Sequence, residues 1–163
     1  MKIILTLISS FLALTINLAQ AATITGRVVG VADGDTITVL DNTSTQFKIR
    51  LSGIDAPEKK QAFGQVSKKS LSDLVYGKQV NVEYEKLDRY GRTVGKVLVN
   101  GVDANLEQVK QGLAWFYRKY QNEMVLDDRL TYLHAEEAAH ASKAGLWADS
   151  EPVAPWDFRH TKN

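Results

Sequence analysis

The sequence of 163 residues contains no cysteine and only three histidines. The lack of cysteine excludes disulfide bonds and a lipid-modified cysteine at a processed N-terminus, so core packing alone must hold the fold. His134 and His140 are six residues apart on a predicted helix, and His160 lies near the C-terminus. This arrangement disfavours a histidine-based zinc site.

The sequence also lacks an apolar run long enough to span a membrane. The run over residues 3–18 falls short of the roughly 18 to 20 residues that a span requires. Lys2 precedes this run, and the A-x-A cleavage pattern Ala19-Gln20-Ala21 follows it. We therefore predict a secretory signal peptide at residues 1–21 rather than a membrane anchor. The mature chain is then expected to be periplasmic or secreted, without membrane attachment.

Neither sign of charge dominates. The chain has 20 Lys and Arg against 19 Asp and Glu, and Lys2 is the one charged residue of the predicted signal peptide. The mature chain therefore has 19 residues of each sign and a formal charge of zero. A broadly basic surface is excluded, so a polyanion would have to be held by a few placed arginines and a bound cation. The dependence of binding on salt should then be shallow.

Hydrophobic periodicity predicts five strands, at residues 23–32, 36–40, 47–51, 80–85 and 93–99. Helical spacing predicts helices at residues 62–76, 102–111 and 122–142. This order is typical of a mainly β protein with helices (α+β), namely a five-stranded OB-type Greek-key barrel with three packed α-helices. We predict one domain at residues 22–150 and an irregular C-terminal tail at residues 151–163.

Two acidic residues, Asp35 and Asp55, share the parity of the apolar residues in their strands. Both carboxylates are therefore predicted to face the barrel interior near its end. Because a buried unpaired carboxylate is costly, a shared cation would relieve both, and oxygen ligands select a hard ion such as Ca²⁺ or Mg²⁺. The alternative is that Asp33-Gly34-Asp35 is ordinary turn chemistry and Asp55 a strand cap.

Three more polar residues, one acid and two arginines, are candidates for the same site. Glu58 comes just after Pro57, where it could stay solvated and accept a proton from a water molecule. Arg50 and Arg92 could reach a common cleft and bind phosphate oxygens through their planar guanidinium groups. The alternatives are a surface glutamate, and surface ion pairs of the arginines with acids such as Asp88.

Together these residues resemble the thermonuclease (staphylococcal or micrococcal nuclease) family. The resemblance runs from about residue 23 to residue 147 and rests on several motifs in order. These motifs are Asp33-Gly34-Asp35-Thr36, Ile49-Arg50-Leu51, Ile54-Asp55-Ala56-Pro57-Glu58, Asp88-Arg89-Tyr90-Gly91-Arg92 and Gln111-Gly112-Leu113-Ala114.

The resemblance implies a Ca²⁺-dependent endonuclease with DNA and RNA as substrates, which cleaves the 5′ P–O bond and leaves 3′-phosphates. Asp35 and Asp55 resemble the side-chain calcium ligands of that family, and Ala56 would supply a backbone carbonyl. Glu58 resembles the residue that activates or orients the attacking water. Arg50 and Arg92 resemble the family's residues that bind the phosphate and stabilise the transition state. We expect a monomer.

The chain departs from the family pattern at two places. Ala56 stands where the best-known member has threonine, and the segment between Glu58 and the first helix is shorter than that member's lysine-rich loop. The tail at residues 152–159 resembles the ending of many exported bacterial members, and its aromatic residues are expected to pack back onto the domain.

Two other classes of protein compete with a nuclease. A non-catalytic OB-fold module for single-stranded nucleic acid is one, because this fold often binds without catalysis. Such a module would have no need for the full set of acids and arginines. A structural calcium protein is the other, and it would leave Arg50, Glu58 and Arg92 without a role.

Overall fold

The computed structural model describes residues 22–161 of the chain. The predicted signal peptide lies outside this part, as do the last two residues. Within residues 22–161, no helix has the length and apolar character needed to cross a membrane.

The described part contains eight strands and four α-helices. The strands are β1 (Ala22–Val31), β2 (Thr36–Asp41), β3 (Gln46–Leu51), β4 (Ile54–Asp55), β5 (Gln79–Leu87), β6 (Thr93–Val99), β7 (Val102–Asp103) and β8 (Trp115–Phe116). The helices are α1 (Gly64–Val75), α2 (Ala104–Lys110), α3 (Leu126–Ala141) and α4 (Pro155–His160), with short 3₁₀ helices at Arg118–Glu123 and Gly145–Ala148.

Five of the strands close into a barrel, as the sequence predicts. Antiparallel pairings run in the order β3-β2-β1-β5-β6, and a parallel pairing of β3 with β6 joins the two edges. In that pairing Ile49 is in register with Thr93 and Arg50 with Val94. The two short strands β4 and β8 pair with each other beside the barrel, with Asp55 opposite Trp115.

The barrel core follows from alternation along the strands. In β6, for example, Thr93, Gly95, Val97 and Val99 are buried, while the residues between them are partly exposed. The buried apolar side chains of the five strands form one cluster with residues of α1 and α2 and with Tyr132 of α3. The helices thereby cover one end of the barrel and fix the loops that emerge there.

Two predicted helix starts need correction. Residues 102 and 103 form β7 rather than the first turn of α2, because the Asp103 side chain accepts a hydrogen bond from the Leu106 amide and caps the helix at Ala104. The long helix α3 starts at Leu126 rather than near residue 122, since the preceding segment winds as a 3₁₀ helix.

The prediction of an irregular C-terminal tail was wrong. Residues Pro155–His160 form α4, with proline in its first turn. Six residues are too few for a helical periodicity to be recognised, and so short a helix depends on packing. The packing is supplied by Trp156, whose ring stacks on Tyr117 at 5.3 Å and meets Trp115 edge-on at 5.5 Å. The expectation that the tail aromatics pack back onto the domain is confirmed for Trp156.

Candidate active site

Asp35 and Asp55 lie at the mouth of the barrel, immediately before β2 and at the end of β4. Both are buried, with exposed fractions of 5% and 2%, as the parity of their strands predicts. The carboxylate of Asp35 accepts hydrogen bonds from the Ala56 amide at 2.7 Å and from the Thr36 hydroxyl at 3.1 Å. The loop after β4 is thereby attached directly to the start of β2.

The turn that carries Asp35 is supported from below by a buried amide. Gln108 of α2 donates to the carbonyl oxygens of Gly34 at 2.9 Å and Ser67 at 3.0 Å. Glycine is required at position 34 because a Cβ atom there would lie 1.9 Å from Ser67 Oγ. The Asp-Gly-Asp triplet is therefore a turn, as the alternative interpretation holds, and it also delivers a buried carboxylate to the site.

Arg50 joins the two acids. Its Nη2 atom lies 3.1 Å from Asp35 Oδ2 and 2.8 Å from Asp55 Oδ1, and its Nη1 donates to the Leu51 carbonyl at 2.9 Å. The guanidinium thus bends over the mouth of the barrel toward the acids rather than forming an ordinary surface ion pair. Both carboxylates approach a single nitrogen, so their oxygen atoms converge on one small region.

The electrostatics of this region favour a bound cation. The pKa of Asp35 is raised to about 7, chiefly because the side chain is buried; Arg50 and the Ala56 amide lower this pKa, and the neighbouring Asp33 and Asp55 raise it. The ionised form of Asp35 is therefore costly in this environment unless positive charge compensates it. A divalent ion would supply that charge.

The donor atoms fit a hard ion. Within residues 22–161 no group of three or more His, Cys, Asp or Glu side chains is placed to hold a metal. The side-chain donors are the two carboxylates, and Ca²⁺ or Mg²⁺ commonly completes such a set with backbone carbonyls and water. The carbonyl of Ala56 stays a predicted ligand; its amide is the group that contacts Asp35.

Arg92 has its described contacts inside its own turn. Its Nε donates to Asp88 Oδ2 at 2.7 Å, and its amide donates to Asp88 Oδ1 at 3.0 Å. This is the ion pair that the alternative interpretation anticipates. Arg92 directly precedes β6 and stands two residues before Val94, which is in register with Arg50. The fold therefore brings Arg92 to the strand beside Arg50, while its guanidinium is bound to Asp88.

The sequence analysis missed one residue of the site, Arg159 of α4. Its Nη2 lies 2.8 Å from Asp55 Oδ2, and its Nη1 lies 3.3 Å from Asp55 Oδ1 and 2.9 Å from Glu58 Oε1. The pKa of the Arg159 guanidinium is raised above its ordinary value, and the hydrogen bonds that Arg159 donates to Asp55 contribute most to this rise. Arg159 is the last residue of the tail segment 152–159 that resembles other family members, but no local pattern relates it to Asp55, more than a hundred residues away.

Comparison with known proteins agrees with this arrangement. Residues 48–149 match the family model described as staphylococcal nuclease homologue. The chain is 49% identical over 135 residues to an uncharacterized endonuclease of Haemophilus influenzae, covering 83% of this chain and 72% of that protein. An uncharacterized endonuclease of Escherichia coli is 45% identical over 142 residues, with 86% and 88% covered. The micrococcal nuclease of Shigella flexneri is 35% identical over 161 residues, with 93% and 90% covered.

The closed barrel with a buried acid pair and arginines at its mouth defines an OB-type domain with a candidate phosphate site. Its sequence relatives narrow this class to one family. The chain belongs to the staphylococcal nuclease family.

Proposed function

We propose that this protein is a calcium-dependent endonuclease that hydrolyses phosphodiester bonds of DNA and RNA and leaves 3′-phosphate ends. The observation that carries the proposal is the convergence of Asp35 and Asp55 on Arg50 at the mouth of the barrel. Family membership supports the nuclease class. We also propose that the chain acts as a monomer outside the cytoplasm, after loss of residues 1–21.

The ion has one chemical role in this proposal. Held by Asp35, Asp55 and the Ala56 carbonyl, Ca²⁺ would supply positive charge that polarises the phosphate. The other roles belong to side chains of the protein itself.

Arg50 and Arg92 would bind the non-bridging phosphate oxygens and neutralise the charge that develops as water adds to phosphorus. Glu58 would accept a proton from that water. As the new bond from water to phosphorus forms, the bond from phosphorus to the 5′-oxygen breaks, and the 5′-oxygen leaves with a proton from solvent. The phosphate then stays bound to the 3′-oxygen of the upstream fragment, and the downstream fragment begins with a free 5′-hydroxyl.

The test incubates the purified mature protein with end-labelled single-stranded DNA, double-stranded DNA and RNA, in Ca²⁺ or in a chelator. We expect strand shortening only with the ion. Glu58→Gln should slow cleavage by roughly 10²- to 10⁴-fold, the usual contribution of a general base. Arg92→Ala should slow it by about 10²- to 10³-fold, which is typical for loss of one charge-stabilising donor.

The matched controls remove the same charges elsewhere: Glu85→Gln at an exposed position of β5 and Arg129→Ala at a partly exposed position of α3. Both should cleave like the wild type. Product ends are assigned by primer extension, which a 3′-phosphate blocks until a phosphatase removes it. Shifted mobility without shorter strands would show a binding module, and cleavage that persists in chelator would refute the role of the ion.

A further inference from the structure

The C-terminal helix reaches the centre of the candidate site through one side chain. Arg159 of α4 spans Asp55 and Glu58 with both of its terminal nitrogens. The Asp55 side chain is almost fully buried, whereas the side chains of Glu58 and Arg159 are about equally exposed, at 41% and 42%. One guanidinium therefore connects an acid fixed inside the barrel with an acid on the surface.

Glu58 depends on this connection for its orientation. It lies in the loop that follows β4, and its amide is held by Gln61 Oε1 at 3.0 Å. Its carboxylate is bound by Arg159 at 2.9 Å, and this is the contact that turns it toward Asp55. An exposed glutamate without such a partner would sample several rotamers.

The same loop is tied to the C-terminal segment at a second point. Gln61 Nε2 donates to the Val153 carbonyl at 2.5 Å, just ahead of α4. The helix itself is anchored by Trp156, which packs on Tyr117 and Trp115, and Trp115 lies opposite Asp55 in the β4–β8 pair. The loop, the helix and the strand that carries Asp55 thus form one connected unit.

We propose that Arg159 is a positioning residue that holds the Glu58 carboxylate beside Asp55 for its reaction with water. This inference rests on the proposed function. It assigns a role to the C-terminal segment, which completes the site from the far end of the chain.

The Arg159 guanidinium should also weaken binding of the divalent ion. Its positive charge lies within hydrogen-bonding distance of both oxygens of Asp55, a predicted ligand, so it repels a divalent cation there. Removing Arg159 should therefore tighten ion binding even as it disorders Glu58. A residue that merely stabilised the fold would weaken both.

The experiment compares Arg159→Gln, Arg159→Lys, Glu58→Gln and the double variant Glu58→Gln/Arg159→Gln. Arg129→Gln, at a partly exposed arginine of α3, is the control. Cleavage of a labelled oligonucleotide gives kcat and KM, and calorimetry without nucleic acid gives Ca²⁺ affinity. Far-ultraviolet circular dichroism and thermal melting establish that each variant is folded.

We expect Arg159→Gln to lower kcat by roughly 10- to 100-fold with little change in KM, a loss typical of a displaced catalytic group. In the Glu58→Gln background the same change should cost less than about 3-fold, because residues that act as a unit are not additive. Arg159→Lys should restore part of kcat. Calcium affinity of Arg159→Gln should rise by roughly 3- to 10-fold through the loss of repulsion.

Other outcomes overturn the inference. An additive loss in the double variant would show that Arg159 does not act through Glu58, and a raised KM with unchanged kcat would show a substrate contact instead. A faster Arg159→Gln enzyme would show the guanidinium to be an inhibitory cap. If the wild type cleaves nothing in Ca²⁺, the proposed function itself fails. If the wild type is active and Arg159→Gln is equally active, the proposed function stands and the role of Arg159 fails.

Discussion

Two buried amides of α2, Asn105 and Gln108, hold the loops at the mouth of the barrel. Asn105 donates to the carbonyls of Ser52 at 3.0 Å and Gly95 at 3.1 Å, and it accepts the Val97 amide at 3.1 Å. Gln108 donates from Nε2 to the Gly34 carbonyl in the turn before β2. Because these groups are out of water, each lost bond would leave a costly unpaired partner. The acids of the site are thus placed by neutral side chains before any ligand arrives.

At the same scale, Asp88 makes the turn before β6 sensitive to acid. Burial alone would raise the pKa of Asp88, but hydrogen bonds from Arg92 and Tyr90 outweigh it and hold the pKa below the ordinary 3.8. A lowered pKa means that the ionised side chain stabilises the fold above that ordinary value. This contribution is lost as the pH falls below about 4, through the pKa of the folded state.

The expected outcome is a carboxyl resonance of Asp88 that titrates below the resonances of exposed aspartates in an NMR pH series. Asp88→Asn should reduce the dependence of unfolding free energy on pH in that acidic range and leave the neutral range flat. A carboxyl that titrates above pH 4 would contradict the assignment.

At the scale of elements, the start of α1 is packed against the loop that carries Glu58. A Cβ atom at Gly64 would lie 2.0 Å from the Glu58 carbonyl oxygen and 3.2 Å from Lys59 Cα. Both are backbone atoms, so Gly64→Ala must displace either the helix or the loop. We expect a loss of roughly 1–3 kcal/mol in unfolding free energy, as for other overpacked sites. Cleavage should slow as Glu58 moves.

Gly30→Ala is the matched control, because a Cβ atom there would meet Thr38 at an ordinary 3.5 Å. Gly64→Ala should have a lower unfolding free energy in urea and a lower kcat than Gly30→Ala. If Gly64→Ala behaves like Gly30→Ala in both measurements, the contact between α1 and the loop does not position Glu58.

The elements differ in how well the sequence predicts them. Strands β1, β2, β3, β5 and β6 are recognised because one face of each is buried, which imposes a period of two on residues such as Ile37, Val39 and Ile49. The two-residue strands β4, β7 and β8 and the six-residue α4 are too short to carry a period. They exist because neighbours such as Trp115 and Trp156 pack them, and such contacts are fixed only by the tertiary fold.

At the scale of the whole molecule, the candidate site draws on residues from both ends of the described chain. Asp35 and Asp55 could be grouped from the apolar parity that they share, and Arg50, on the polar parity of β3, could be predicted to reach the same cleft. Arg159 could not, since its place depends on how the tail returns across β8. For Arg92, the sequence predicts a cleft shared with Arg50 and, as the alternative, an ion pair with an acid such as Asp88; the structure shows the ion pair with Asp88.

The balance of charge over the whole molecule leads to a prediction about salt. With equal numbers of acidic and basic residues in the predicted mature chain, phosphate contacts should come from a few guanidinium groups rather than from a basic surface. Two contacts, from Arg50 and Arg92, correspond to a slope of about −1.4 in a plot of log binding constant against log salt for single strands. Fluorescence anisotropy of a labelled single strand, at fixed Ca²⁺ and with Glu58→Gln to prevent cleavage, measures this slope.

Adding Arg92→Ala should make the slope shallower by about 0.7, the loss expected for one phosphate contact, whereas Arg129→Ala should leave it unchanged. A slope steeper than about −4 would require a cationic groove and would contradict recognition by placed arginines.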